Sequence, residues 1–321
     1  MKKINVAILG FGTIGTGTYK VLQMNKETIT KNTGADIEVI KILDKDLTRD
    51  RGVAVPAGVM TDKADEVFCN DDINIVVEVM GGIEPATSFM IEAMNHGKSV
   101  VTANKAAVAA NYDKLSAAAK ANNVQFKFEA SVGGGIPILN AITTVLGGNE
   151  FTEVMGILNG TTNYILTKMT EEGLPYADVL KTAQQLGFAE ADPTADVEGI
   201  DVANKLSILM CLAFDKYVKP ADIPTVGISK ITAEDIEAAK AAGCKIKLIA
   251  HAKYENGALE YSVKPMNISN SHPLAGVSNE FNAVYITGNA VDELMFYGKG
   301  AGALPTGSAV VGDIIEIAKV L

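Results

Sequence analysis

The sequence has 321 residues, 48% hydrophobic and 21% charged, an ordinary globular composition in a chain long enough for two domains. Its 28 Lys+Arg against 38 Asp+Glu give a formal net charge of -10. That balance argues against a nucleic-acid surface, which needs concentrated positive charge, but allows a local basic patch for a phosphorylated cofactor. The cysteines, Cys69, Cys211 and Cys244, are three in number and lack paired metal-ligand spacing, as in a reducing compartment. Met1-Lys2-Lys3 leads directly into a short apolar strand without the hydrophobic region of a secretion signal. No apolar run approaches the ~20 residues of a bilayer span. The expected setting is the cytoplasm, with neither nucleic acid nor membrane as partner.

A buried strand is predicted over Ile4–Leu9, followed by Gly10-Phe11-Gly12-Thr13-Ile14-Gly15 and a helix that begins near Gly15. This spacing suits a dinucleotide. Gly10 permits a tight turn, Gly12 lets the backbone approach a pyrophosphate, Gly15 lets helix and strand pack closely, and the helix N-terminus offers N–H groups to phosphate. A second strand, Ile37–Leu43, ends at Asp44-Lys45-Asp46. Asp44 suits the ribose diol of NAD, whereas Lys45 or Arg49 suits the extra phosphate of NADP, so cofactor preference stays open.

Strands over Ile73–Met80, Ser99–Val101 and Gln125–Glu129 alternate with helices over Ala86–His96 and Tyr112–Asn122. The pattern is that of parallel βαβ units, which bind ligands beyond the carboxyl ends of their strands. Gly81-Gly82 and Thr102-Ala103-Asn104-Lys105 fall at two such ends. Lys105 is therefore placed where nicotinamide and substrate meet, the alternative being a surface lysine that opens a helix.

After Glu129 the texture changes. The stretch from Ser131 to Pro137, SVGGGIP, lacks the spacing of a phosphate loop and reads as a crossover presenting backbone groups to a cleft. Pro137 suits a first helical position. The turn Asn159-Gly160-Thr161-Thr162-Asn163 precedes another apolar run, and Thr232-Ala233-Glu234-Asp235 reads as a helix cap before a strand over Lys245–His251.

Glu190–Leu209 is the most informative segment. Glu190, Asp192, Asp196 and Glu198 crowd around Pro193, which a solvated acidic loop would also explain. Asp201 and Lys205 then fall four apart on one helical face, with Val202, Leu206 and Leu209 forming an apolar stripe. His96, His251 and His272 lack zinc-ligand spacing, no serine elbow exists, and no cysteine stands beside a base as thioester chemistry requires. After Gly298–Gly302, a final helix over Ser308–Lys319 has an apolar face that can return to the first domain, making that domain discontinuous.

Together GFGTIGTG at 10–17, TANKA at 102–106, EASVGGGIPI at 129–138, NGTTNYIL at 159–166, GFAEADPTADVEGIDVANKLSIL at 187–209 and GKGAGALPTGSAVVGD at 298–313 resemble homoserine dehydrogenase, over nearly the whole chain. The resemblance implies an α/β protein. A Rossmann-type dinucleotide-binding domain (1–130) would precede an α+β catalytic and dimerisation domain (131–300), with segment 301–321 returning to the first. It implies reversible reduction of L-aspartate 4-semialdehyde to L-homoserine, feeding threonine, methionine and isoleucine synthesis, in a homodimer.

By resemblance the catalytic lysines are Lys205 and Lys105, and the substrate contacts are Glu190, Asp201, Asp196, Gly160 and Thr161. NADP or NAD would be held by Gly10, Phe11, Gly12, Thr13, Ile14, Gly15, Asp44, Lys45, Ala103, Asn104, Lys105 and Gly300. A monovalent cation, sodium by expectation, would lie on Glu129, Val132, Gly134 and Ile136. Many relatives carry a C-terminal ACT domain, and this chain stops at Leu321, so feedback through such a domain is expected to be absent. The alternatives are an NAD(P)-dependent oxidoreductase on another small amino or oxo acid, or a nucleotide-sensing protein without chemistry.

Overall fold

The computed structural model describes every residue from Met1 to Leu321. The chain forms two units, Met1–Gly135 with Ala301–Leu321, and Ile136–Gly300.

In the first unit, six strands are β1 (Lys2–Leu9), β2 (Ala35–Leu43), β3 (Met60–Thr61), β4 (Ile75–Glu78), β5 (Ser99–Thr102) and β6 (Phe126–Lys127). They lie in the order β3-β2-β1-β4-β5-β6, and every pair is parallel. The order reverses between β1 and β4, where a doubly wound sheet opens a ligand crevice. Alternation along β1 explains the layers. Ile4, Val6 and Ile8 enter one core while Ala7 and Leu9 enter another, as side chains of a strand covered on both faces must.

Helices α1 (Thr13–Met24), α2 (Lys26–Thr33), α3 (Asp65–Phe68), α4 (Ala86–Asn95) and α5 (Lys105–Ala121) connect these strands. The helix expected from Tyr112 starts seven residues earlier, at Lys105, because the Asn104 side chain accepts the Ala107 N–H and caps it. The strand expected over Gln125–Glu129 shortens to Phe126–Lys127, and Glu129–Ser131 turns as a 3-10 segment. There the Glu129 N–H donates to Asp313 Oδ2 at 2.9 Å rather than to a neighbouring strand.

The second unit has a five-stranded antiparallel sheet: β7 (Phe151–Ile157), β8 (Cys244–Glu255), β9 (Ala258–Ser269), β10 (Phe281–Gly288) and β11 (Asp292–Lys299). Its order is β11-β10-β7-β8-β9. Asn256 and Gly257, both at positive φ, turn the β8–β9 hairpin, as such a two-residue loop demands.

Its helices are α6 (Ile138–Asn140), α7 (Gly160–Glu172), α8 (Tyr176–Gln185), α9 (Thr194–Val197), α10 (Ile200–Phe214) and α11 (Ala233–Ala241). Pro137 stands just outside α6 rather than at its first position, and the coil widens over Ala141–Val145. Thr232 and Asp235 form a reciprocal capping box on α11. Helix α10 packs on β7 and β8.

Back in the first unit, α12 (Ala303–Val320) packs on α1. They approach closely where a Cβ on Gly17 would stand 2.1 Å from the Ala303 carbonyl oxygen. No helix is long and apolar enough to cross a membrane.

Candidate active site

In the first unit the fingerprint turn follows β1. Gly10 has φ +92°, and a Cβ on Gly15 would stand 2.1 Å from the Gly10 carbonyl oxygen, so only glycine permits this turn. On the Cβ side of Gly12 no atom lies within 4 Å. The backbone is open there, at the start of α1, whose first-turn N–H groups, on Thr13, Ile14 and Gly15, have no acceptor within the helix, the arrangement that suits an anion at a helix N-terminus.

Asp44 ends β2, and its carboxylate is engaged: Phe11 N–H donates to Oδ2 at 2.7 Å and Asp46 N–H to Oδ1 at 2.9 Å. Arg51 Nη2 lies 3.1 Å from Oδ1, Arg51 Nε donates to the Phe11 carbonyl at 2.8 Å, and the guanidinium covers the Phe11 ring. Arg51 is thus a clamp on the fingerprint loop. Lys45 is exposed to solvent.

At the end of β4, Glu78 is fully buried. Thr102 Oγ1 donates to it at 2.6 Å, Met80 N–H at 2.8 Å and Asn104 Nδ2 at 3.4 Å. Asn104 Nδ2 also donates to the Gly82 carbonyl at 2.6 Å. This network fixes Ala103 and Asn104 and sets Lys105, half-buried, as the first residue of α5. A cation is disfavoured at the positive end of a helix dipole, so position 105 bears a cost that helix stability does not explain.

In the second unit, α10 carries Asp201 and Lys205, 6% and 7% exposed. Lys205 Nζ donates to Asp201 Oδ2 and to the Leu158 carbonyl, both at 2.6 Å. Asn159 caps α7 and joins the acids, its Nδ2 donating to Asp201 Oδ2 at 3.0 Å and Asp196 Oδ1 at 2.7 Å. Thr161 Oγ1 donates to the Phe188 carbonyl and stands 3.4 Å from Asp196 Oδ2. Gly160 opens α7 where a Cβ would meet the Glu280 carbonyl oxygen at 2.7 Å. Asp196, Asp201, Lys205, Gly160 and Thr161 are therefore gathered at one place. Glu190 is exposed on the loop before α9, its carbonyl accepting from Gln184. A buried ammonium between one carboxylate and one carbonyl is a preorganised proton donor and a fixed positive charge.

Glu129 and Val132 are buried, with Gly134 at φ +57° and the Ile136 carbonyl accepting from Ile138 N–H at 2.9 Å. No group of three or more His, Cys, Asp or Glu suited to a metal exists. The donors available along this segment are one carboxylate and main-chain oxygens. The histidines have local tasks: His251 Nε2 lies 2.6 Å from Glu153 Oε1, and His272 Nδ1 accepts the Leu274 N–H.

Sequence reasoning missed Asn159, Glu78 and Arg51. An Asn three residues before a threonine at a helix start signals a cap, and a lone acid at the end of an apolar strand signals a buried partner, but neither identifies what is bound.

A family model described as "Homoserine dehydrogenase" matches residues 137–315, and one described as "Homoserine dehydrogenase, NAD binding domain" matches residues 10–129. The homoserine dehydrogenase of Bacillus subtilis is 46% identical over 319 residues, 99% of this chain and 74% of the relative. That of Synechocystis is 44% identical over 324 residues, 99% of this chain and 74% of the relative. The crystal structure of a homoserine dehydrogenase from Thiobacillus denitrificans superposes with a TM-score of 0.96 at 42% identity, covering 100% of this chain and 74% of that one. A hyperthermophilic archaeal homoserine dehydrogenase mutant in complex with NADPH superposes with a TM-score of 0.84 at 29% identity, covering 99% and 98%.

Proposed function

The chain belongs to the homoserine dehydrogenase family, and on that premise we propose how its residues carry the reaction. It is an NAD(P)-dependent oxidoreductase interconverting L-aspartate 4-semialdehyde and L-homoserine, a step toward threonine and methionine. The carrying observation is the buried Lys205 ammonium, held between Asp201 and the Leu158 carbonyl.

When bound, the reduced nicotinamide supplies a hydride to the aldehyde carbon. Negative charge then develops on the carbonyl oxygen. Lys205 stabilises that charge and donates the proton that makes the hydroxyl. Asp201 directs Lys205 and keeps it protonated, and Asn159 holds Asp201 and Asp196 in place. Lys105 adds electrostatic support or relays the proton. Glu190 meets the substrate ammonium from its loop, with Gly160 and Thr161 lining the same end.

On this reading Gly10, Phe11, Gly12, Thr13, Ile14 and Gly15 would hold the pyrophosphate, Asp44 and Lys45 would serve the ribose end, and Ala103, Asn104 and Gly300 would serve the nicotinamide. The same reading assigns a monovalent cation, sodium, to the Glu129 carboxylate and the main-chain carbonyls of Val132, Gly134 and Ile136, the donors being all oxygen. The enzyme works as a cytoplasmic homodimer in this reading.

The test is oxidation of NADPH or NADH by the purified protein with fresh L-aspartate 4-semialdehyde, with L-homoserine identified as product. Homoserine formation supports the assignment and ranks the cofactors. Folded protein inactive with either cofactor, in sodium and in potassium, would refute it.

A further inference from the structure

Glu78, the last residue of β4, is fully buried, and a buried carboxylate is costly unless a cation faces it. Its three donors are all neutral groups. Thr102 Oγ1 donates to Oε2 at 2.6 Å, Met80 N–H to Oε1 at 2.8 Å and Asn104 Nδ2 to Oε1 at 3.4 Å. Thr102 Oγ1 in turn accepts the Asn104 N–H at 3.0 Å, which leaves its own proton for Glu78. Three donors thus converge on one group, as suits the acceptor-only carboxylate ion, and the hydroxyl contact has the length of a charge-assisted bond. These neutral donors order the anion without cancelling its charge.

The fold puts this charge where the first unit meets its ligands. Glu78 and Thr102 are partners at the carboxyl ends of the parallel strands β4 and β5, and a doubly wound sheet binds beyond such ends. The chain then opens outward. Gly81 and Gly82 have φ +81° and +74°, and a Cβ on Gly81 would find no atom within 4 Å. Asn104 binds both Glu78 and the Gly82 carbonyl while its Oδ1 caps α5, so the anion is tied directly to that open loop. A ligand seated there need not touch Glu78, because a charge in a low-dielectric interior acts across several ångströms.

Resting on the dehydrogenase reading above, in which Ala103 and Asn104 serve the nicotinamide, we infer that the fixed negative charge of Glu78 sets the balance between oxidised and reduced cofactor. The nicotinamide ring is cationic when oxidised and neutral when reduced. A buried anion bonded to the residues that serve the ring therefore favours the oxidised form, relative to the reduced one, more than an uncharged residue would. On the enzyme this biases the reaction toward the side on which the ring is oxidised, the homoserine side. The hydrogen bonds that hold Asn104 are the same for both forms, so the bias comes from the charge and not from the shape of the loop.

The experiment measures Kd by calorimetry for NADP+ and NADPH, and for NAD+ and NADH, on wild type and Glu78→Gln, which keeps the size and removes the charge. Lys105 is the same in both proteins, so the comparison isolates the carboxylate. The ratio of oxidised to reduced Kd is expected to rise about fivefold or more in the variant, with the loss on the oxidised side. Glu78→Asp keeps the charge and is expected to keep the ratio, whatever it costs both affinities. Equal weakening of the two forms by Glu78→Gln overturns the inference, because it makes Glu78 an anchor of the loop only. A ratio that stays at the wild-type value, or that shifts as far in Glu78→Asp, overturns it too. Should the glutamine variant fail to fold, Glu78→Met removes the charge without adding a donor, and the same rise is expected. A wild type that binds neither cofactor would refute the dehydrogenase reading itself, whereas a wild type that binds them, with an unaltered ratio in the variant, refutes only the role of Glu78.

Discussion

Asp201 and Lys205 stand one turn apart on α10, and their side chains meet at 2.6 Å with less than a tenth of either exposed. Removing one partner of a buried pair leaves the other charge uncompensated. In Asp201→Asn the hydrogen-bond acceptor stays and the charge goes. The protonated lysine is then less favoured, because its nearest anion is gone. We expect kcat/KM to fall by roughly one to two orders of magnitude and the alkaline limb of its pH profile to move to lower pH. A profile superposable on wild type would show that the carboxylate does not govern the lysine.

Asp44 holds the loop between β1 and α1, taking the Phe11 N–H on Oδ2, and the proposed cofactor role of that loop makes Asp44 testable. Phe11 N–H and Arg51 both bind its carboxylate, and these charge-assisted bonds order the glycine-rich turn proposed to take the pyrophosphate. Asp44→Ala is expected to raise the cofactor Kd about tenfold or more while sparing kcat at saturation. Titration by cofactor fluorescence checks it, and an unchanged Kd would mean the loop is ordered without Asp44.

What was legible in the sequence was local. The glycines of the fingerprint follow from steric limits inside six residues, and the Asp201–Lys205 pair and the Thr232 capping box follow from helical spacing. What was not legible depends on strand order and distant partners. Asn159 reaches Asp196 and Asp201 across 37 and 42 residues, and Glu78 meets Thr102 only because β4 and β5 are neighbours. The strand expected to run through Glu129 stops short because Asp313, 184 residues away, takes the Glu129 N–H. Residues 105–111 are alanine-rich without a clear apolar stripe, so periodicity located only the second half of α5.

Lys247 on β8 gives stability a pH dependence. It is 2% exposed, with Nζ donating to the Val277 carbonyl at 2.6 Å and Asn163 Oδ1 at 3.0 Å. Burial, with a smaller push from Lys245, lowers its pKa from 10.5 to about 8. Between those values the unfolded chain holds a proton that the folded chain has released, so this group's penalty is full below about pH 8 and fades as pH rises toward 10.5. The relief amounts to at most about 3 kcal/mol. Lys247→Met should flatten the dependence of Tm on pH across that window relative to wild type. An identical slope in both proteins would contradict the assignment.

In the proposed reaction the buried Lys205 ammonium supplies the charge and the proton at the carbonyl oxygen. Its most direct test is single-turnover reduction of L-aspartate 4-semialdehyde by Lys205→Ala, with cofactor affinity measured on the same preparation. The chemical step is expected to slow by roughly two to four orders of magnitude, with the cofactor Kd unchanged and the protein folded. A folded variant that turns over at near wild-type rate would contradict it and move the acid role to another group.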